Sequence, residues 1–457
     1  MVSNGTGFPS GSGGSKINLR ETLNNMEKIL INGGKKLKGT VRVKGSKNAI
    51  GKMLMASLLT EDEIVLKNVP RNQETEIAME ICRSIGSDVR MEGDTVTIKT
   101  PEIKNYRVTE LTRRNRIPIL ALGPLLARVG EGEVPMVGGD KIGPRPVNFH
   151  TASLEKLGAE VEIKESTIVA RAKKLKGALI TLPYPSVGAT ENTILAAVLA
   201  EGRTTIRNAA IEPEITDIIK LLQKMGAIIE LGADRDIYIE GVDRLHGAEH
   251  ALLPDRIESA SFAIMALATD GDILIEGAAQ DHLITFLNTV RRLGGEYSVE
   301  STGIRFFRAG ELRSIDVETD THPGFATDWQ QPLTVLLTQA KGSSVIHETV
   351  YEDRFGYAED LRRMGADIEV VTKCLGNLPC RFQGESHYHS AIIHGPTPLK
   401  GAKLEMRDIR AGMAHIIAAL IADGKSEITG VEHIDRGYED AVGRIAALGA
   451  DIVRVTE

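Results

Sequence analysis

The chain has 457 residues, of which 42% are hydrophobic and 26% charged, with a formal net charge of -7. That length is too great for one hydrophobic core and predicts two or more domains. An acidic balance, with aromatics at only 4% and a single tryptophan, argues against a general nucleic-acid or membrane-surface binder, so any anion is expected in a local cationic pocket.

Residues 1–25 carry Gly11-Ser12-Gly13-Gly14-Ser15 and no apolar secretion-signal core, and they read as a flexible leader before Met26. No later run approaches the roughly 18 uncharged apolar residues of a membrane span, and a cytoplasmic protein is expected. Cys82, Cys374 and Cys380 are odd in number, and five residues separate the last two without a second pair. All three are expected to be reduced thiols with no metal role. There is no His-Glu-x-x-His, and His394 and His433 read as structural or surface histidines.

From Met26 onward the chain repeats itself. Helix-like segments end in Gly-Ala-acidic or a near variant and run into an apolar strand at Gly86, Gly158, Gly226, Gly294, Gly365 and Gly449, roughly 70 residues apart. A second pattern in phase with the first, helix then polar turn then strand, gives each of six units two helices and several strands. Such alternation predicts mixed sheets covered by helices. Six units divide into two lobes of three, with a crossing near Pro254 and a ligand cleft between them. The first helix of each unit opens on a polar or glycine-bearing segment, at Gly45, Arg113, Ser186, Pro254, Thr327 and Arg407. Helix N-termini carry free amides and partial positive charge, so their convergence on a cleft predicts a phosphate-bearing ligand.

Gly45-Ser46-Lys47-Asn48 follows the strand-like GTVRV but fails the P-loop pattern. Five residues separate Gly45 from Gly51, and Met53 stands where a Ser or Thr would hold magnesium. Lys47 and Asn48 fit either a phosphate contact or a helix cap. Gly138-Gly139-Asp140-Lys141-Ile142-Gly143-Pro144-Arg145-Pro146 has three glycines and two prolines in nine residues and is predicted as a loop. It can present one carboxylate and two cations to a common anion. Arg116, Arg145, Arg354, Arg410 and Arg436 follow a strand or open a helix in different units, which suggests a shared carboxylate or phosphate target. Asp328, in another breaker-rich stretch, fits a general base for a hydroxyl proton and a helix cap equally well.

Ten segments in this order resemble the enolpyruvyl transferase family from about Met26 to the end of the chain. They are GSKNA at Gly45, ALGPLLAR at Ala121, GGDKIGPRPV at Gly138, PSVGAT at Pro185, NAAIEPEI at Asn208, LPDRIE at Leu253, FATDWQ at Phe325, ETVYEDRF at Glu348, DIRAG at Asp408 and HIDRGYE at His433. The resemblance implies an α/β fold, a two-lobed inside-out α/β barrel of six repeated units with mixed sheets and buried helices. Residues 26–46 with 254–457 would form the C-terminal lobe, and 47–253 the N-terminal lobe carrying a mobile loop, 136–147. It implies transfer of enolpyruvate from phosphoenolpyruvate to the 3-hydroxyl of UDP-N-acetylglucosamine, without metal or organic cofactor, by a monomer or weak dimer.

By the same resemblance, Lys47, Arg145 and Arg436 would hold the phosphate of phosphoenolpyruvate, and Arg354 and Arg410 its carboxylate. Asn48, Arg116 and Asp328 would contact the sugar nucleotide, with Asp328 near the attacking hydroxyl. Pro146, Val147, Asn148 and Phe149 with Ser186, Val187 and Gly188 would hold the uridine-diphosphate end. Val350 would touch the sugar, and Asp408 would sit beside the arginines. Asp140, catalytic here, stands where most members have cysteine; members with aspartate are expected to resist fosfomycin, which alkylates that thiol. Neighbouring cations favour the charged form of Asp140, so substrate anions would have to neutralise them before it acts as an acid. Tyr184 replaces a common lysine, and Asn148 a common aspartate. The competing expectations are an enolpyruvyl transferase for shikimate 3-phosphate or another uridine nucleotide, and a non-catalytic uridine-nucleotide binder.

Overall fold

The computed structural model describes residues 27–108, 111, 115–136, 138 and 146–456. The leader, Asp140 and Arg145 lie outside the described residues, as does most of the loop that carries the latter two.

Among the described residues six separate sheets form, five of four strands and one of three. Each four-stranded sheet mixes antiparallel pairs with one parallel pair, and the three-stranded sheet is antiparallel; strand Lys38–Arg42, for instance, runs parallel to Asp272–Glu276, which is antiparallel to Gly303–Arg308. No sheet closes on itself among the described residues, so the barrel of the sequence-based expectation is a ring of separate sheets around helices. The first helix of each unit is the inner one: α1 (Lys47–Ser57), α2 (Leu122–Val129), α3 (Val187–Ala197), α4 (Arg256–Ala268), α5 (Gln330–Leu337) and α6 (Ile409–Ile421). Past their first turns their sequences are mostly apolar or small, as in the Ile-Ala-Ala-Leu-Ile end of α6, and a helix of that kind must be surrounded. All of α4 is buried. Ile257, Phe262, Ile264, Met265 and Leu267 on it are at most 1% exposed, each contributing about 1.5–3 kcal/mol of burial.

The second helix of each unit is amphipathic and lies outside, as Pro213–Lys224 shows with Lys220 exposed and Ile215, Ile218, Leu221 and Leu222 buried. The repeated glycines end these outer helices. Gly86, Gly158, Gly226, Gly294, Gly365 and Gly449 all have φ between 92° and 120°, a region open to glycine and strained for other residues. The repeat seen in the sequence is therefore a helix stop followed by a strand.

Two hydrophobic cores result. One gathers Ala49 to Leu253; the other gathers Ile29 to Val43 with Ile257 to Ile452. The chain crosses between them twice, and the crossings are joined by an antiparallel bridge between Gly45 and Pro254. Ser46 N donates to Leu253 O at 2.9 Å and Asp255 N to Lys44 O at 2.8 Å. Asp255 also caps α4, accepting from the amides of Ile257 and Glu258, and its second oxygen accepts from Lys47 N at 3.0 Å, so one carboxylate sets the first turns of α1 and α4. Gly45 is needed there, because a Cβ would lie 1.8 Å from Asn68 O. Among the described residues no helix is long and apolar enough to cross a membrane.

Candidate active site

All six units aim the start of their inner helix at one cavity of about 450 Å³ between the cores. Its lining includes Lys47 and Asn48 in the first turn of α1, Ile117 in the turn before α2, Ser186 to Gly188 at α3, Arg256 at α4, Thr327 and Asp328 before α5, and Asp408 to Arg410 at α6. The backbone amides at these starts, and the cations among them, make the cavity a site for anions.

On the C-terminal side, Asp328 joins two buried arginines. Its Oδ1 accepts from Arg354 Nη2 at 2.6 Å and its Oδ2 from Arg410 Nε at 3.1 Å. Burial opposes ionisation of this carboxyl, but Arg410, Arg354 and Lys47 outweigh it and hold it well below the usual carboxylate range. Arg410 is raised above its ordinary value, the opposing effect of burial being exceeded by Asp328. Arg410 Nη1 donates to Tyr438 Oη at 3.0 Å, and Arg354 Nη1 to Thr327 Oγ1 at 3.0 Å. Beneath them Glu348 accepts from Thr327 Oγ1 at 2.8 Å and from Val350 N at 2.8 Å, fixing both wall residues. Asp408 lines the cavity and caps α6, accepting from the amides of Arg410 and Ala411.

Lys47 and Arg436 come from opposite cores and meet on one carboxylate. Glu74 Oε1 lies 3.5 Å from Lys47 Nζ, and Glu74 Oε2 lies 3.5 Å from Arg436 Nε. Arg256 and Glu214 form a second buried pair across the lobes, Nε to Oε1 at 3.1 Å.

The N-terminal side carries Arg116 and the buried Lys52–Glu191 ion pair on its lining. Arg116 Nη2 donates to Pro146 O at 3.3 Å, and Asn148, Phe149 and the Ser186–Gly188 turn complete the surface. Behind them burial, and then the charge of Arg116, pushes the His150 imidazole down to about 3. Arg381 closes the rim: its guanidinium lies 4.6 Å from the Tyr184 ring centre, and its Nη2 donates to Val350 O at 2.5 Å.

The cavity thus gathers Lys47, Asn48, Arg116, Pro146, Asn148, Phe149, Ser186, Val187, Gly188, Asp328, Val350, Arg354, Asp408, Arg410 and Arg436. The Val147 side chain, between lining residues Pro146 and Asn148, packs into the N-terminal core where the chain turns into helix Asn148–Lys156. Asp140 and Arg145 lie outside the described residues. Sequence reasoning missed Glu74, Arg256 and Arg381 on the lining. Arg256 sits inside the LPDRIE segment and was accessible to it; Glu74 and Arg381 have no local signature. The three cysteines, all free, have different surroundings. Cys82 is buried, but Cys374 and Cys380 come together with His347 and His389, because a strand end and a later excursion of the chain converge.

This architecture matches that of known proteins. The family described as EPSP synthase (3-phosphoshikimate 1-carboxyvinyltransferase) matches residues 31–445, and the chain belongs to it. Within the family it is similar to proteins named UDP-N-acetylglucosamine 1-carboxyvinyltransferase. The one from Protochlamydia amoebophila is 49% identical over 442 residues, covering 94% of this chain and 95% of that protein. The one from Chlamydia abortus is 51% identical over 427 residues, covering 92% and 96%. Among solved structures, the enolpyruvyl transferase NikO from Streptomyces tendae has a TM-score of 0.83 at 24% identity, covering 95% of this chain and all, 100%, of that one. An EPSP synthase from Acinetobacter baumannii has a TM-score of 0.70 at 19% identity, covering 94% and 100%. These two likenesses concern the fold, and they agree with the six-unit, two-core architecture.

Proposed function

We propose that the chain transfers the enolpyruvyl group of phosphoenolpyruvate to the 3-hydroxyl of UDP-N-acetylglucosamine and releases inorganic phosphate, the first committed step of peptidoglycan synthesis. The observation that carries the reading is the Arg354–Asp328–Arg410 cluster facing Lys47 and Arg436 across one cavity. Guanidinium forks fit a carboxylate, and the lysine–arginine pair fits a phosphate, at the two ends of phosphoenolpyruvate.

In the free protein Asp328 occupies both forks. The carboxylate of phosphoenolpyruvate would take its place, and the exchange keeps the buried cations paired with a carboxylate throughout. Released from them, Asp328 regains affinity for a proton and accepts that of the sugar hydroxyl as its oxygen attacks carbon 2 of phosphoenolpyruvate. A proton reaching carbon 3, the step for which Asp140 is the candidate donor, completes a tetrahedral adduct. Loss of a carbon 3 proton then expels phosphate and restores the double bond. The fixed arginines and helix amides act by positioning and by matching charge on the leaving phosphate. The rim of Phe149, Tyr184 and the Ser186–Gly188 turn supplies a flat, weakly charged surface for the nucleotide end.

The test is phosphate release from phosphoenolpyruvate with UDP-N-acetylglucosamine or shikimate 3-phosphate as acceptor, with and without fosfomycin. Turnover with the sugar nucleotide that persists in fosfomycin is expected. Turnover with shikimate 3-phosphate alone, or tight nucleotide binding without turnover, would overturn the reading.

A further inference from the structure

Away from the cavity floor, the chain leaves strand Asp367–Val371, makes an excursion over residues 372–389, and returns as strand Ser390–Gly395. The returning strand pairs antiparallel with Gly342–His347, so that His347 faces Ser390 and His389 stands beside it. The two imidazoles are fully buried with ring centres 5.4 Å apart. Cys374 and Cys380 belong to the excursion, and one donor atom from each of the four residues lies within 4.8 Å of the others.

Each ring has its Nδ1 committed elsewhere. His347 Nδ1 lies 3.2 Å from Glu318 Oε2, and His389 Nδ1 lies 2.7 Å from His387 O. Both acceptors require a proton on Nδ1, which leaves the Nε2 lone pairs for the centre of the cluster. His389 Nε2 is 3.3 Å from Cys374 Sγ, while His347 Nε2 is buried with no hydrogen-bond partner. A buried ring nitrogen without a partner is costly unless something binds it. Glu318 also accepts from the amides of Asn377 and Leu378, both at 2.8 Å, and so ties the excursion to His347. Gly376 permits this approach, since a Cβ there would lie 2.0 Å from Glu318 Oε2 and 2.3 Å from His347 Nδ1.

We propose that His347, Cys374, Cys380 and His389 form a zinc site that staples the 372–389 excursion to its sheet. Two thiolates and two imidazoles are the donor set of a tetrahedral structural zinc, and a carboxylate and a carbonyl on the far ring nitrogens are the supports such ligands use. Bonds of about 2.0–2.3 Å place tetrahedral ligands about 3.3–3.8 Å apart, so the four atoms need close by only about 1 Å. With four protein ligands the ion has no open position and serves the fold, not the chemistry. The excursion it fixes carries Arg381 to the cavity rim, and Phe382 lies against His389 with ring centres 5.7 Å apart. The metal thereby holds the guanidinium over Tyr184.

The experiment is metal analysis of the full chain, prepared under reducing conditions without a metal-affinity step and dialysed free of unbound ions. About one zinc per chain is expected. After chelation, cobalt(II) should give thiolate-to-cobalt charge transfer and the strong d–d bands of a tetrahedral site. Those bands should vanish in Cys374→Ser and Cys380→Ser and remain in Cys82→Ser. Removal of the metal should also speed protease cleavage within 372–389 at least several-fold. The parent protein alone decides the matter if the variants fold poorly. Neither zinc nor a tetrahedral cobalt spectrum in the parent would overturn the proposal, and so would a Cys374–Cys380 disulfide found by peptide mass spectrometry in the reduced preparation.

Discussion

On the C-terminal side of the cavity two buried guanidiniums share the Asp328 carboxylate before any substrate arrives, whereas the N-terminal side offers Phe149, Tyr184, the Ser186–Gly188 turn and a neutral His150. Charges withdrawn from water need a counter-charge in every state of the protein, so the first wall must exchange one carboxylate for another. Around the Ser186–Gly188 turn the second wall offers aromatic faces, amides and Arg116, which donates to Pro146 O and is not held by the Asp328 carboxylate. Substitutions on the first wall should therefore damage the chemical step, and those on the second mainly binding.

The largest effect is expected at the arginines. Arg354→Ala or Arg410→Ala should lower kcat/KM by about 10³-fold or more, the scale of truncating one member of a buried charge pair. Arg410→Lys should recover little, because an ammonium cannot reproduce the fork that serves both Asp328 and Tyr438. Steady-state kinetics decide it: a lysine variant within tenfold of the parent would show that charge alone suffices. Next, Asp328→Asn should reduce kcat on the order of 10²–10³-fold through loss of the base. Its KM for phosphoenolpyruvate should stay level or fall, since a neutral amide competes poorly for the guanidiniums. A KM that rose instead would remove Asp328 as the substrate's stand-in.

The sequence made the repeat legible because a helix stop is a local rule: one glycine at positive φ, recurring at Gly86, Gly158, Gly226, Gly294, Gly365 and Gly449, marks each unit. It left Asp328 between base and cap, since both roles ask for a carboxylate at a helix start. The structure separates them by where the oxygens go, Asp328 to two arginines and Asp408 to the amides of α6. Glu74 was invisible because its importance comes from Lys47 and Arg436 on opposite cores. The four sulfur and nitrogen donors were invisible for a similar reason. His347 ends one strand and His389 precedes its partner, a proximity created by register and not by spacing along the chain.

The rim gives a smaller, cleaner contrast. Arg381→Ala should raise the KM for UDP-N-acetylglucosamine about tenfold, as loss of a stacked cation of about 1 kcal/mol or slightly more would, with kcat within twofold of the parent. Tyr184→Ala should do the same, and the double variant little more, because each residue holds the other. Measured KM values that add fully would mean that the two act separately.

The smallest effect concerns stability. His150 is 1% exposed, and burial followed by Arg116 pushes its imidazole down to about 3; burial followed by Arg256 pushes His322 down to about 4. Both lie below the ordinary histidine value, so in mild acid the unfolded chain binds protons that the folded protein refuses. Their contribution is present in full above about pH 6.5 and is lost as pH falls toward the folded values. From pH 6.5 to about 5 most carboxylates remain charged, which isolates the histidines. One such proton corresponds to about 1.4 kcal/mol per pH unit, so His150→Asn, whatever its absolute stability, should have a flatter profile by about that slope across this window. Unfolding midpoints measured at several pH values for both proteins provide the check. Parallel curves would mean that the imidazole of His150 takes up its proton in the folded protein, and that the N-terminal wall is more charged than its burial implies.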